Sequence, residues 1–160
     1  MKKLLLVAIM AVAGVAAAVA QPRAIGVNLG GSFDVSYQHA LGEANMIDLS
    51  VNVPLANGAF GIGATATYDW INPFGTAIPW NEKGEWNWSL GVGAGAGIYG
   101  FSAPNWYAGV VGHVGVEYNF WFPLQLSVDW RPNIGVSNAF ADWFNLNGFY
   151  GVTLGVRYLF

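Results

Sequence analysis

Apolar and polar residues alternate singly along most of the chain. At the C-terminus Tyr150, Val152, Leu154, Val156, Tyr158 and Phe160 fall on one parity, and Gly151, Thr153, Gly155, Arg157 and Leu159 on the other. Residues 124–131 split into Leu124, Leu126, Val128, Trp130 against Gln125, Ser127, Asp129, Arg131. Residues 107–120, 85–98, 59–70 and 46–53 repeat the division, with Glu117 and His113, four glycines, Asp69, and Asp48 on their polar or small sides. Successive side chains of a strand point to opposite faces, so each segment reads as a β-strand with one apolar face. No segment beyond residue 20 offers 18 continuous apolar residues, so no transmembrane helix is legible there.

Six strands are plain: 45–53, 58–71, 85–99, 106–119, 123–136 and 148–160. Residues 24–39 as one strand would span about 50 Å, well past an apolar band of roughly 25 Å. Gly30-Gly31 divides them into 24–29 and 33–39. A three-residue loop at 30–32 sets Leu29 opposite Phe33 and keeps both on the apolar face. The count becomes eight, with both chain ends on one side. Loops 30–32, 54–57, 100–105 and 137–147 then share the other, outer side, and turns 40–44, 72–84 and 120–122 the periplasmic side. A seven-strand reading would carry the long 72–84 connection to the outer side, at the cost of the even count.

Alternation fits two architectures. A soluble sandwich or lipocalin turns the apolar faces inward; a membrane barrel turns them out to lipid. Lysines of the kind that coat a soluble exterior are almost missing. Aromatics gather at strand ends: Tyr37, Tyr68, Trp70, Trp86, Trp88, Tyr118, Phe120, Trp121, Tyr158 and Phe160, as two interfacial girdles require. The fold class expected is therefore all-β: an eight-stranded, up-and-down antiparallel transmembrane β-barrel. Closure removes sheet edges, which hydrocarbon cannot solvate.

Composition sharpens this. Only 9% of the 160 residues are charged, against about 25% in an ordinary soluble domain. Six basic and nine acidic residues leave no basic footprint for nucleic acid. No cysteine is present, so disulfides and cysteine metal sites are excluded. Residues 1–20 read as a cleaved signal peptide: Lys2 and Lys3, an apolar Leu4–Ala13 run, and Ala18-Val19-Ala20 before Gln21. The alternative for 4–20 is a membrane anchor. Removal leaves 21–160 as the barrel. Its four basic residues (Arg23, Lys83, Arg131, Arg157) against nine acids give 4 − 9 = −5.

Several stretches carry a family resemblance: Ser36-Tyr37-Gln38-His39, the 91–95 glycine alternation, Gly115-Val116-Glu117-Tyr118-Asn119-Phe120, the 123–132 segment, and Gly155-Val156-Arg157-Tyr158-Leu159-Phe160. The chain resembles the small eight-stranded outer-membrane β-barrels of Gram-negative bacteria, of the OmpX/OmpA-barrel type, and within it an uncharacterised group. The resemblance implies location in the outer membrane and assembly by the barrel-assembly machinery. It implies that Tyr158 and Phe160 form the C-terminal assembly signal. It implies no agreed activity.

The inward parity places Asp48, Asp69, His113, Glu117, Asp129, Arg131 and Arg157 in the lumen, with Asn28, Asp34, Ser36, Gln38 and Tyr107. Buried charges must be paired, so a structural ion-pair network is expected. Glu117 is placed to meet Arg157 across the lumen, and Asp129 and Arg131 share one face. Glycines 91, 93, 95 and 97 make room for Arg131, Arg157 and Tyr107. An eight-strand interior is just wide enough for side chains to fill.

No catalytic, cofactor or metal residue is assigned. The two histidines, His39 and His113, sit in no local His-x-Ser arrangement, and two histidines without cysteine make a poor zinc site. Gly-x-Gly-x-Gly at 91–95 is followed by no helix or P-loop lysine. The expected function is a non-enzymatic structural or surface-interaction barrel. Its partners would be outer-membrane lipids, the assembly machinery, and an extracellular partner reached through loops 100–105 and 137–147. The alternatives are a lipid-modifying enzyme and a narrow, porin-like pore for water or small ions.

Overall fold

The computed structural model describes residues 22–54, 61–75, 83–99, 105–138, 140–145 and 151–160. The 1–20 leader, its cleavage site, and most of the 54–57 and 100–105 loops lie outside the described residues. Ten strands form: β1 (Pro22–Gly30), β2 (Ser32–Ala40), β3 (Asn45–Pro54), β4 (Gly61–Pro73), β5 (Gly84–Tyr99), β6 (Asn105–Phe120), β7 (Gln125–Trp130), β8 (Asn133–Ser137), β9 (Phe140–Asn145) and β10 (Val152–Leu159). All pairings are antiparallel. Neighbours run from β1 to β6, then to β7 and β8, then from β7 to β10, which returns to β1.

β7 and β8 are two lengths of one stave. Both follow β6 in one register: Val114 faces Trp130 and Val111 faces Asn133. The break falls at Arg131-Pro132, where proline brings no N–H to the ladder. β9 and β10 make up the last stave. The result is a closed antiparallel barrel of eight staves. Among the described residues there is no α-helix.

The first hairpin has the expected register, with Leu29 opposite Phe33. The chain ends meet at one end of the barrel: Ala24 pairs with Leu159, and the Phe160 N–H donates to the Arg23 carbonyl at 3.1 Å. The 72–84 connection narrows to 74–83, because Asn72, Pro73 and Gly84 belong to strands. The predicted 137–147 loop is corrected: it is mostly β9, hairpinned to β8 with Ser137 facing Phe140 across a two-residue turn. A two-residue hairpin keeps backbone groups paired, and Phe140–Asn145 has no clean apolar face by which the sequence could have announced it.

The strands lean. Register partners run from Asn45 through Trp70, Leu90, Val114 and Trp130 to Val152. That line starts at the foot of β3 and arrives at the far end of β10. A climb of this kind is what closes an eight-stranded barrel with strands tilted about 35–45°.

The faces are inverted relative to a soluble protein. Val27, Leu29, Val35, Leu49, Val51, Leu90, Val92, Val128, Leu154 and Val156 stand exposed on the outer wall. The buried apolar residues among those described are Ala24, Met46 and Val111, while twenty-one polar or charged residues are buried. Soluble interiors have the reverse composition. The apolar faces point outward, not inward as in a lipocalin-like barrel.

The aromatic pattern needs a correction. Tyr37, Tyr68, Trp70, Trp86, Trp88, Tyr118, Phe120, Trp121, Tyr158 and Phe160 all lie towards the end that holds the termini and the short turns. These ten make one girdle, and the exposed Phe33 and Trp106 stand at the opposite end. The girdle's rings touch in series, with Trp86 on Tyr118, Tyr118 on Phe120 and Phe120 on Trp121, at centroid distances of 4.9, 4.6 and 6.1 Å.

Candidate functional site: the polar lumen

The lumen is lined by the inward parity of every stave. Asp48, Asp69, His113, Glu117, Asp129, Arg131 and Arg157 are all buried there. The partners differ from those expected. Glu117 does not meet Arg157. It takes the Arg23 guanidinium on both oxygens, Gln125 Nε2 at 3.0 Å, and Asn87 Nδ2 at 3.4 Å. Arg157 lies higher and reaches Asp129 at 3.0 Å, Ser36 Oγ at 3.1 Å, Gln125 Oε1 at 3.1 Å and Ser127 Oγ at 2.6 Å. Its guanidinium also stands 3.9 Å from Asp48.

Arg131 does not pair along its own strand with Asp129. It crosses the lumen to Asp48, at 3.1 Å, and Asp34, at 3.7 Å. Two residues apart on one strand face, side chains stand side by side. A long guanidinium gains more from carboxylates on the opposite wall.

Arg23 is the residue the alternation concealed. Odd positions of β1 point outward, as Ile25, Val27 and Leu29 do. The register shifts between Pro22 and Ala24, which leaves Arg23 as the extra residue of a bulge. A bulge re-aims a side chain, and this one sends Arg23 inward to Glu117 and to Gln38 Oε1 at 2.5 Å.

His113 bridges the walls. Nδ1 faces Asp69 Oδ1 at 2.5 Å and Nε2 faces Asp129 Oδ1 at 3.0 Å. Carboxylate oxygens only accept, so both contacts are satisfied when both ring nitrogens carry hydrogen. Thr67 and Ser127 hydroxyls donate to the remaining oxygens of Asp69 and Asp129, at 2.7 and 2.6 Å. Two connected chains result. One runs Arg23–Glu117–Gln125–Arg157–Asp129–His113–Asp69. The other runs Arg23–Gln38–Asp48–Arg131–Asp34.

The inward glycines are seats, though not all the expected ones. A Cβ on Gly97 would press on the Tyr107 ring at 2.6 Å, so room for Tyr107 holds. A Cβ on Gly91 would collide with the Asp69 carboxylate, and one on Gly93 with the β4 backbone. Arg157 is seated by Gly26 and Gly155 instead, whose added Cβ atoms would lie 2.8 and 3.1 Å from it.

Chemically, this arrangement holds charge in place. His113 is 1% exposed and both its nitrogens are engaged. Ser89 Oγ approaches the same Gly115 position as His113 Nε2, but Nε2 is turned on Asp129. His39 sits near the turn end with its Nδ1 3.2 Å from the Tyr37 hydroxyl. Among the described residues no group of three or more metal-ligating side chains gathers. Tyr158 and Phe160 are exposed on the outer wall beside each other, at 5.5 Å.

Comparison with protein families, with curated proteins and with solved structures finds no match to this chain. The site and the fold therefore carry the functional reading.

Proposed function

We propose that this chain is a small integral protein of the bacterial outer membrane, exported by a cleaved leader, with a structural or surface-interaction role and a lumen plugged by its own side chains. The observation that carries this reading is the inverted barrel: apolar side chains outward on every stave, charged ones paired within. A closed sheet with an apolar outer wall leaves no backbone edge to hydrocarbon. The aromatic girdle at the turn end matches an interfacial belt, with Lys83 near Trp121 at 6.0 Å adding a cation at the same rim. Lipids would cover the wall, and the assembly machinery would read the exposed Tyr158 and Phe160. The β8–β9 hairpin and the 100–105 loop would meet any extracellular partner.

The test is topological. A cysteine at Asn138, in the β8–β9 turn, labels with an impermeant maleimide on intact cells. One at Lys83 labels only after the outer membrane is opened. Labelling with the opposite sidedness, or recovery of the protein in the soluble fraction, overturns the reading. Planar-bilayer recording checks the plug: stepwise currents from the purified barrel would refute it.

A further inference from the structure

Four consecutive staves bring one polar residue each to a ring in the lumen. They are Asp34 on β2, Asn28 on β1, Thr153 on β10 and Arg131 at the β7–β8 junction. Asn28 and Asp34 are direct cross-strand partners. Asn28 pairs with Gly155, so Thr153 is its diagonal neighbour on the same face. The Arg131 N–H bonds to the Gly151 carbonyl at 3.3 Å, which sets Thr153 diagonal to Arg131 as well. The ring closes through space, because Arg131 Nη1 stands 3.7 Å from Asp34 Oδ2.

This ring is under-bonded from within. Asn28 is fully buried, yet neither its Nδ2 nor its Oδ1 has a protein partner. Thr153 Oγ has none. Both Nη atoms of Arg131 lack a hydrogen bond of good geometry, although they hold ion pairs with Asp34 and Asp48. Buried polar groups are almost always satisfied, by protein or by ordered water. Asp34 itself accepts from Ser32 Oγ at 2.5 Å. Five buried atoms without a hydrogen bond gather at this ring; Asn133 Oδ1 is a further one in the lumen.

We infer that the Asn28–Asp34–Thr153–Arg131 ring is a binding site for internal water. The donor and acceptor inventory selects the ligand. Asn28 Nδ2 and the guanidinium donate, Asn28 Oδ1 and Asp34 accept, and Thr153 does either. An anion would face Asp34 and Asp48, and a metal cation would face Arg131. Water both donates and accepts, so it matches every group of the ring. This inference concerns the lumen alone and stands apart from the membrane placement.

The experiment is solution NMR on the full barrel refolded in detergent micelles, reading cross-relaxation between water and the Asn28 side-chain amide. The expected result is a cross-peak with the sign of long-lived bound water. Its absence, with the Asn28 amide signals resolved, overturns the inference. Asn28→Leu supplies a second readout. A hydrated ring loses its bridges, so the thermal midpoint falls. A dry ring is relieved of two unpaired atoms, so a midpoint that rises or stays unchanged overturns the site. If Asn28→Leu does not fold, Thr153→Val is read by the same midpoint and the same criterion.

Discussion

Replacing Arg157 by Met keeps much of the side-chain volume and removes the charge. Arg157 is 1% exposed and donates to Ser36, Gln125, Ser127 and Asp129, with Asp48 nearby. Its loss leaves Asp129 buried, held by Ser127 and His113 but short of its strongest counter-charge. Breaking one side of a buried pair costs about 3–5 kcal/mol. With a urea m-value of about 2 kcal/mol/M, the midpoint falls by about 2 M. The assay is urea unfolding of the barrel in phospholipid vesicles, followed by tryptophan fluorescence. Arg157→Met with Asp129→Asn should recover part of the loss, because the charge left unpaired has gone with its partner. A loss below about 1 kcal/mol would refute the reasoning, since that is the value of a solvated pair. It would mean that water reaches the middle of the lumen.

The outer wall offers a second measurement. Leu154→Arg, at a highly exposed outward position between Leu29 and Val128, should cost about 2–4 kcal/mol in vesicles if lipid covers it; a soluble surface would show about 0.5 kcal/mol or less. Arg23→Lys should lose most of the bidentate hold on Glu117, because an ammonium is a point donor, and a lowered urea midpoint checks it. His113→Phe should destabilise by about 3 kcal/mol or more, since Asp69 and Asp129 would both face an apolar ring; unfolding in the same vesicles reads it. Gly93→Ala should destabilise by about 1–3 kcal/mol, because its Cβ collides with the β4 backbone. Gly112→Ala should cost less than Gly93→Ala, since its Cβ meets Pro132 alone, with Cγ at 3.2 Å, and thermal melts compare the two.

The parity of each strand was legible from the sequence because one face is apolar along β3 to β7 and β10, interrupted by a polar residue only at strand ends, as at Asn45 and Asn72. The hairpin at Gly30-Gly31 was legible because only one loop length keeps Leu29 against Phe33. Membership of the lumen followed from parity, and all seven charged candidates are there. Their partners did not follow. Pairing across a barrel depends on stagger and tilt, which bring β7 opposite β2 and β3, and no local spacing encodes that. Arg23 was missed because a bulge reverses the parity rule at one position. β9 was missed because its sequence has no alternation to read.

The bulge at Arg23 has a consequence for assembly. The described lumen arginines come from β1 and β10, which flank the final seam, and from the β7–β8 junction, one stave further in. Most of the acids, Asp34, Asp48, Asp69 and Glu117, come from β2, β3, β4 and β6. A half-built sheet of β2 to β6 therefore carries these four lumen carboxylates and no lumen arginine, with His113 beside Asp69. Arg157 meets Asp129 on the neighbouring β7, whereas Arg23 with Glu117 and Arg131 with Asp48 pair across the lumen, once the first and last strands come together. Barrel closure thus brings the remaining carboxylates to their arginines, and a sheet stalled before it has an electrostatic reason to finish.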